Sequence, residues 1–190
     1  DPERAARNPD RANVIATMVQ SYFPTSLFLS RSRYAEDEMR AAIAKGVSQY
    51  VILGAGMDTF AFRKPELSHK LQVFEIDHPA TQLFKQERLE ELDWDIPNNL
   101  HLIPVDFTMQ TLDAALANTA YAPKALTFYS WLGVIHYIPR EAVLQTLRTI
   151  ADISPVGSTI VFDYWDADAF VPGKAAARVN MMQAMLRQAG

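Results

Sequence analysis

Two glycines one residue apart, Gly54 and Gly56, close an apolar run, Tyr50-Val51-Ile52-Leu53. Lacking Cβ atoms, they and the intervening Ala55 permit a tight turn and let a ligand lie against the backbone. The segment after the turn, Phe60-Ala61-Phe62-Arg63, reads as a short helix, and free N–H groups at a helix start can face such a ligand. A second run, Leu71-Gln72-Val73-Phe74-Glu75-Ile76-Asp77, ends in two carboxylates. An acid about 20 positions after the glycines suits a ribose, because one carboxylate accepts bonds from both hydroxyls. A third run, Leu100 to Val105, ends at Asp106-Phe107. There a carboxylate can accept from an adenine amino group while the aromatic ring covers the base. Asp106 is explained equally well as the N-cap of a helix over 108–117.

These residues need a scaffold that brings strand ends together. The run before Gly54 has the apolar continuity of a buried parallel strand. Further strands are predicted over 71–77, 100–105, 125–130 and 158–164, separated by helical patterns. That alternation implies a doubly wound α/β sheet with right-handed connections, whose ligands lie beyond the C-terminal strand ends. Gly54, Asp77, Asp106 and the loop from Ser130 to Tyr137 all belong to that rim. Pro79 is predicted to open a helix in which Ala80, Leu83 and Phe84 face inward and Lys85, Glu87, Arg88 and Glu90 face water. Pro139 is predicted to start another, buried along Val143, Leu144, Leu147 and Ile150. Before the sheet, a helix is expected over 13–22, stopped by Pro24, and a second over 35–45, stopped by Gly46. Arg31 and Arg33, between those two, read on composition as part of a solvated turn. Met181, Met182, Met185 and Leu186 near the chain's end have helical spacing and read as core or a lid.

With 190 residues the chain suffices for one domain with a substantial core. A net charge of −4 and the lack of a basic stripe argue against nucleic acid as the main partner. No apolar stretch is long enough to span a bilayer, so no membrane partner is expected. There is no cysteine, hence no thiolate metal site, disulfide or cysteine nucleophile, as suits a cytoplasmic protein. No metal site is expected.

The ligand class turns on Thr59. A dinucleotide-binding turn usually carries a third glycine where this chain has Thr59, so the pattern for NAD is broken. S-adenosylmethionine, which has no pyrophosphate to cradle, does not need that glycine. A strand, turn and helix with no ligand is the plainer alternative.

The strings Leu53-Gly54-Ala55-Gly56-Met57-Asp58-Thr59 and Phe74-Glu75-Ile76-Asp77-His78-Pro79 resemble the leucine carboxyl methyltransferase family. So do Phe62-Arg63, Arg31-Ser32-Arg33-Tyr34 and Gly133-Val134-Ile135-His136-Tyr137-Ile138-Pro139. That family includes phosphatase carboxyl methyltransferases and bacterial O-methyltransferases of polyketide-type metabolism. The resemblance covers the chain from about Asn8 onward. It implies a Rossmann-like class I methyltransferase fold under an N-terminal helical cap, with S-adenosyl-L-methionine as cofactor. Residues 1–46 would form the cap and 47–190 the cofactor-binding core of one domain. By position, Arg31 would bind the methionine carboxylate, and Gly54, Ala55 and Gly56 would pass under the methionine and ribose. Asp77, rather than Glu75, would take the ribose hydroxyls. Asp106 and Phe107 would hold the adenine.

Two departures from the family pattern stand out. Leu132 occupies a place where many members have glutamate. The family is also longer at both ends, and its two further C-terminal strands are expected to be missing here. The implied reaction is methyl transfer to an oxygen, carboxylate or hydroxyl, of a small molecule such as a polyketide-like acid or alcohol, or of a peptide C-terminus. A carboxylate acceptor needs no base; for a hydroxyl, His136 is the nearest candidate, with Tyr137 orienting the acceptor. A catalytically silent binding module of the same fold is the alternative, and an NAD-dependent oxidoreductase a weaker one.

Overall fold

The computed structural model describes residues 23–107, 109–171 and 173. They divide between two compact units, one of residues 35–164 and one holding the described residues up to Tyr34 and from Trp165 onward. The expected helix over 13–22 and the methionines at 181, 182 and 185 with Leu186 lie outside the described residues.

The unit of residues 35–164 is built on a parallel sheet. Its strands are β1 (Gln49–Leu53), β2 (Gln72–Asp77), β3 (Leu100–Pro104), β4 (Thr127–Trp131) and β5 (Thr159–Phe162), in the order β3-β2-β1-β4-β5. Every adjacent pair is parallel. All five residues of β1 and all five of β4 are buried, as the centre of a sheet covered on both faces requires. The chain steps outward from β1 to β2 to β3, then returns to lay β4 on the other side of β1. The direction of winding therefore reverses between β1 and β4, where ligand crevices of open α/β sheets form.

Because side chains alternate along each strand, the reversal produces two apolar layers. One holds Tyr50, Ile52, Val73 and Phe128 from the strands, with Phe60 and Ala61 of helix α2 (Phe60–Arg63) and Leu67 of α3 (Pro65–Ser68). The other holds Val51, Leu53, Phe74, Ile76, Tyr129 and Trp131. Leu112, Ala115 and Leu116 of α5 (Leu112–Leu116) and Ile150 of α6 (Arg140–Ile153) complete that second layer. On α6, Val143 and Leu147 pack there as the apolar stripe predicts, and Thr146 and Thr149 are buried beside them.

Helix α1 (Phe23–Ala44) is longer than its sequence suggests. Pro24 lies in its first described turn, where a proline is tolerated, and residues 25–44 contain no glycine or proline to break it. Phe28 to Tyr34, expected as a turn, is thus helical. Within the sheet unit, Met39 and Ala42 of α1 join the first apolar layer. The helix ends as foreseen at Gly46, with φ +97°. Gly46 N–H donates to Ile43 and Val47 N–H to Ala42, the paired bonds of a Schellman ending.

Helix α4 (Pro79–Glu91) begins at its proline but is rotated from the expected face. Gln82, Lys85 and Leu89 are buried, whereas Leu83 and Phe84 are 58% and 47% exposed. The cause is Glu75, wholly buried in the middle of β2, which requires a cation opposite it; Lys85 meets it in an ion pair. A last difference concerns Asp106. The helix after β3 starts only at Leu112, preceded by Thr111, so Asp106 does not cap it. Instead its carbonyl accepts the N–H groups of Met109 and Gln110, closing a turn.

Candidate functional site at the C-terminal rim of the sheet

The turn after β1 docks onto the end of β2. Gly54 N–H donates to the Ile76 carbonyl at 2.7 Å and Ala55 N–H to the same oxygen at 3.2 Å. Gly56 N–H then donates to Asp77 Oδ2 at 2.5 Å, while His78 N–H donates to Asp77 Oδ1 at 2.6 Å. The half-buried Asp77 carboxylate therefore faces the glycine turn, each oxygen holding one N–H. An ionised carboxylate has about four lone-pair sites, so acceptor capacity remains on both oxygens.

The two glycines have different work. Gly54 has φ +66° and Gly56 φ +51°, both in the left-handed region. A Cβ on Gly54 would collide with the methyl groups of Val134, which the loop after β4 lays over it. The space that the sequence suggests for a ligand at Gly54 is thus filled by the protein. Among the described residues a Cβ at Gly56 would meet nothing within 4 Å, so there they leave the backbone open to an approaching molecule. Ala55 between them is buried.

The end of β3 comes alongside. Asp77 pairs in register with Pro104, and Val105 N–H donates to the Asp77 carbonyl at 2.7 Å. This carries Asp106 and Phe107 to the same rim. Asp106 Oδ2 stands 4.0 Å from His78 Nε2, with its side chain 37% exposed. Phe107 is half-buried, and its ring lies 6.5 Å from that of Trp131 at the end of β4. His78 also caps α4, its Nδ1 accepting from Ala80 N–H. The sequence reading missed this role, although a polar residue directly before Pro79 is the signal for it.

Beyond β4 the chain turns at Gly133, φ +73°, whose N–H donates to Asp163 Oδ1 at 2.6 Å. Leu132 is half-buried. His136 and Tyr137 follow in a 3-10 turn, Ile135–Tyr137; both are exposed, Tyr137 to 80%, and their rings pack 4.1 Å apart. Arg31 belongs to the other compact unit, on α1, with its guanidinium 4.6 Å from the Phe28 ring centre.

Glu75, the second carboxylate of β2, does not reach the rim. It is wholly buried, and burial pushes its carboxyl up to about 7 against the opposing pull of Lys85. Lys85 Nζ also donates to the Asp58 carbonyl at 2.6 Å. A concavity of about 630 Å³ lies elsewhere in this unit, beside Tyr121, Asp152 and Ser154 at the N-terminal ends of β4 and β5.

Residues 4–151 match the model of the leucine carboxyl methyltransferase family. The chain is 39% identical over 193 aligned positions to YktD of Bacillus subtilis, provisionally named an S-adenosyl-L-methionine-dependent methyltransferase. The alignment covers 99% of this chain and 60% of that protein. A Mycobacterium avium protein of the same provisional name is 34% identical, over 84% of this chain and 51% of its own length. The chain thus spans between half and two thirds of these relatives. Among solved structures, an O-methyltransferase family protein from Burkholderia thailandensis aligns with a TM-score of 0.53 at 13% identity, over 82% of this chain and 44% of that one. A provisionally named O-methyltransferase from Nostoc punctiforme gives 0.52 at 14% identity, over 77% and 42%. At such identities the likeness establishes the fold, the Rossmann-like sheet of class I methyltransferases. The chain belongs to the leucine carboxyl methyltransferase family.

Proposed function

We propose that this family member is the cofactor-binding part of an S-adenosylmethionine-dependent O-methyltransferase acting on a small-molecule carboxylate or hydroxyl. The observation that carries the reading is the Asp77 carboxylate, held against the glycine turn by Gly56 N–H with capacity for further donors. The chemistry of the surrounding residues fits the ligand. The open backbone at Gly56 suits close approach. The Asp106 carboxylate and the Phe107 ring, one strand further out, suit an adenine amino group and base face.

S-adenosylmethionine would supply an electrophilic methyl group on a sulfonium. This chain's residues then act by holding and orienting. Asp77 accepts the two ribose hydroxyls, Asp106 the adenine amino hydrogens, and Phe107 covers the base. Gly56 offers the open floor, and Gly54 and Ala55, the first covered by Val134 and the second buried, fix the shape of the turn beneath it. Arg31 is assigned to the methionine carboxylate by residue type and family pattern, a charge-assisted pair that guanidinium suits. In-line displacement demands mainly that acceptor and methyl be close and aligned. A carboxylate acceptor is favoured because it is already nucleophilic, and the family description names a carboxyl group. With a hydroxyl acceptor, His136 would take the proton and Tyr137 would orient the acceptor.

The test is transfer of a tritiated methyl group from the donor to a panel of carboxylic acids, alcohols and amines. Label recovered as a base-labile ester or as an ether supports the reading. Donor binding without transfer to any acceptor favours the silent binding module. Thermal protection by NAD but not by S-adenosylmethionine favours an oxidoreductase.

A further inference from the structure

The buried ion pair between β2 and α4 reaches beyond its own two elements. Lys85 is 3% exposed and Glu75 wholly buried. Besides Glu75, Lys85 Nζ donates to the Asp58 carbonyl at 2.6 Å. Asp58 is two residues after Gly56, and it is tied twice more. Its N–H donates to the Ala55 carbonyl at 2.8 Å, and its Oδ1 accepts Phe60 N–H at 2.6 Å. The segment from Gly56 to Phe60 is therefore closed on itself by local bonds and clamped to the sheet unit by an ammonium group from a different helix.

A stabilising role alone does not explain this arrangement. Taking two charges out of water costs about as much as their attraction returns, and apolar residues of like volume generally do as well. The pair is also imperfectly satisfied, since Glu75 Oε1 has no hydrogen-bond partner among the described residues. An apolar pair at the two positions would fill the same gap but would leave the Asp58 carbonyl without its donor. Glu75 serves to keep a cation in the interior, and the cation serves to reach the turn.

We infer that Lys85 is a positioning residue: it fixes the Asp58 carbonyl and thereby the Gly56 backbone that Asp77 engages, with Glu75 holding the ammonium group in place. The consequence for ligand affinity rests on the rim being the S-adenosylmethionine site, as proposed above.

The decisive variant is the double substitution Lys85→Met with Glu75→Gln, which leaves no buried charge behind. Two readouts are taken on the full chain. Without ligand, amide hydrogen exchange of residues 54–60 is compared with that of 127–131 in central β4. With ligand, S-adenosylmethionine affinity is measured by calorimetry. The double variant should melt near the wild type, yet exchange about ten-fold faster in the turn alone and bind about ten-fold more weakly, the loss expected for one charge-assisted hydrogen bond. Glu75→Gln alone removes the charge that holds the ammonium group and should loosen the turn by up to the same degree, about ten-fold. This second variant keeps the inference open to refutation should the double variant not fold, because turn exchange unchanged in Glu75→Gln would overturn it.

Turn exchange unchanged in the double variant overturns the inference, whatever happens to affinity. Faster exchange with unchanged affinity overturns the positioning role as well. A wild type that does not bind the donor, combined with the predicted loosening of the turn, overturns the assignment of the site and leaves the brace established.

Discussion

At the C-terminal ends of the strands, the sheet presents Asp77, Asp106 and three glycines at positive φ; at the opposite end it presents a hollow of about 630 Å³. The Tyr121 and Ser154 hydroxyls of the hollow are already engaged. Tyr121 and Tyr129 share a hydrogen bond of 2.7 Å between their hydroxyls, and Tyr129 bonds to Ser154 at 2.9 Å. Burial pushes the Tyr129 phenol above its ordinary range, so it stays protonated and structural. The rim carries left-handed backbone, a carboxylate held by two N–H groups, and acceptor capacity left over. The two ends differ in which groups have bonds still to make.

The contrast can be broken most forcefully at the glycines. Gly54→Ala forces a Cβ into Val134 as well as a left-handed alanine, so it should lower stability by at least about 3 kcal/mol in a denaturant titration. Gly56→Ala, with open space around it, should cost only about 1 kcal/mol yet still weaken ligand binding. Equal losses of stability at both positions would refute the division of labour between them.

A smaller effect comes from the buried acid beneath the rim. Glu75 is held at about 7 in the folded chain, above its ordinary 4.5, so the folded state binds more protons than the unfolded one between those values. Stability should therefore fall as pH rises from about 4.5 to 7, by up to about 3 kcal/mol, and be fully present only below that window. The groups facing Glu75 are Lys85, which lowers its pKa, and Asp58 and Asp77, which raise it. Urea titrations across this range should show that slope in the wild type and a flatter one in Glu75→Gln. The smallest effect belongs to the far end: Tyr121→Phe should cost about 1 kcal/mol and leave ligand affinity unchanged. Loss of affinity in that variant would move the site to the hollow.

Much of the rim is legible in the sequence. The apolar run ending at Gly54 and the acid 23 residues later at Asp77 are local patterns, and the parallel sheet that joins them follows from the alternation of strands and helices. What is not legible is long-range or inverted. Val134 lies 80 positions from Gly54, and nothing near Gly54 announces what fills its missing side chain. On α4, the binary pattern points Leu83 and Phe84 inward, because apolarity is the only signal it reads. One clue was available: a glutamate in the middle of a strand otherwise fit for burial calls for a cation, and Lys85 is a cation on the next helix. Asp106 was balanced between two roles from sequence, and only the late start of α5 removes the capping one.

Isothermal titration of S-adenosylmethionine into the full chain and into Asp77→Asn addresses the central claim. That substitution keeps the shape of the side chain but replaces one acceptor oxygen by a donor. The account predicts saturable binding to the wild type and a loss of at least about ten-fold in the variant, as expected when a charged acceptor is removed from a sugar. Saturable binding of equal strength in both proteins would contradict it.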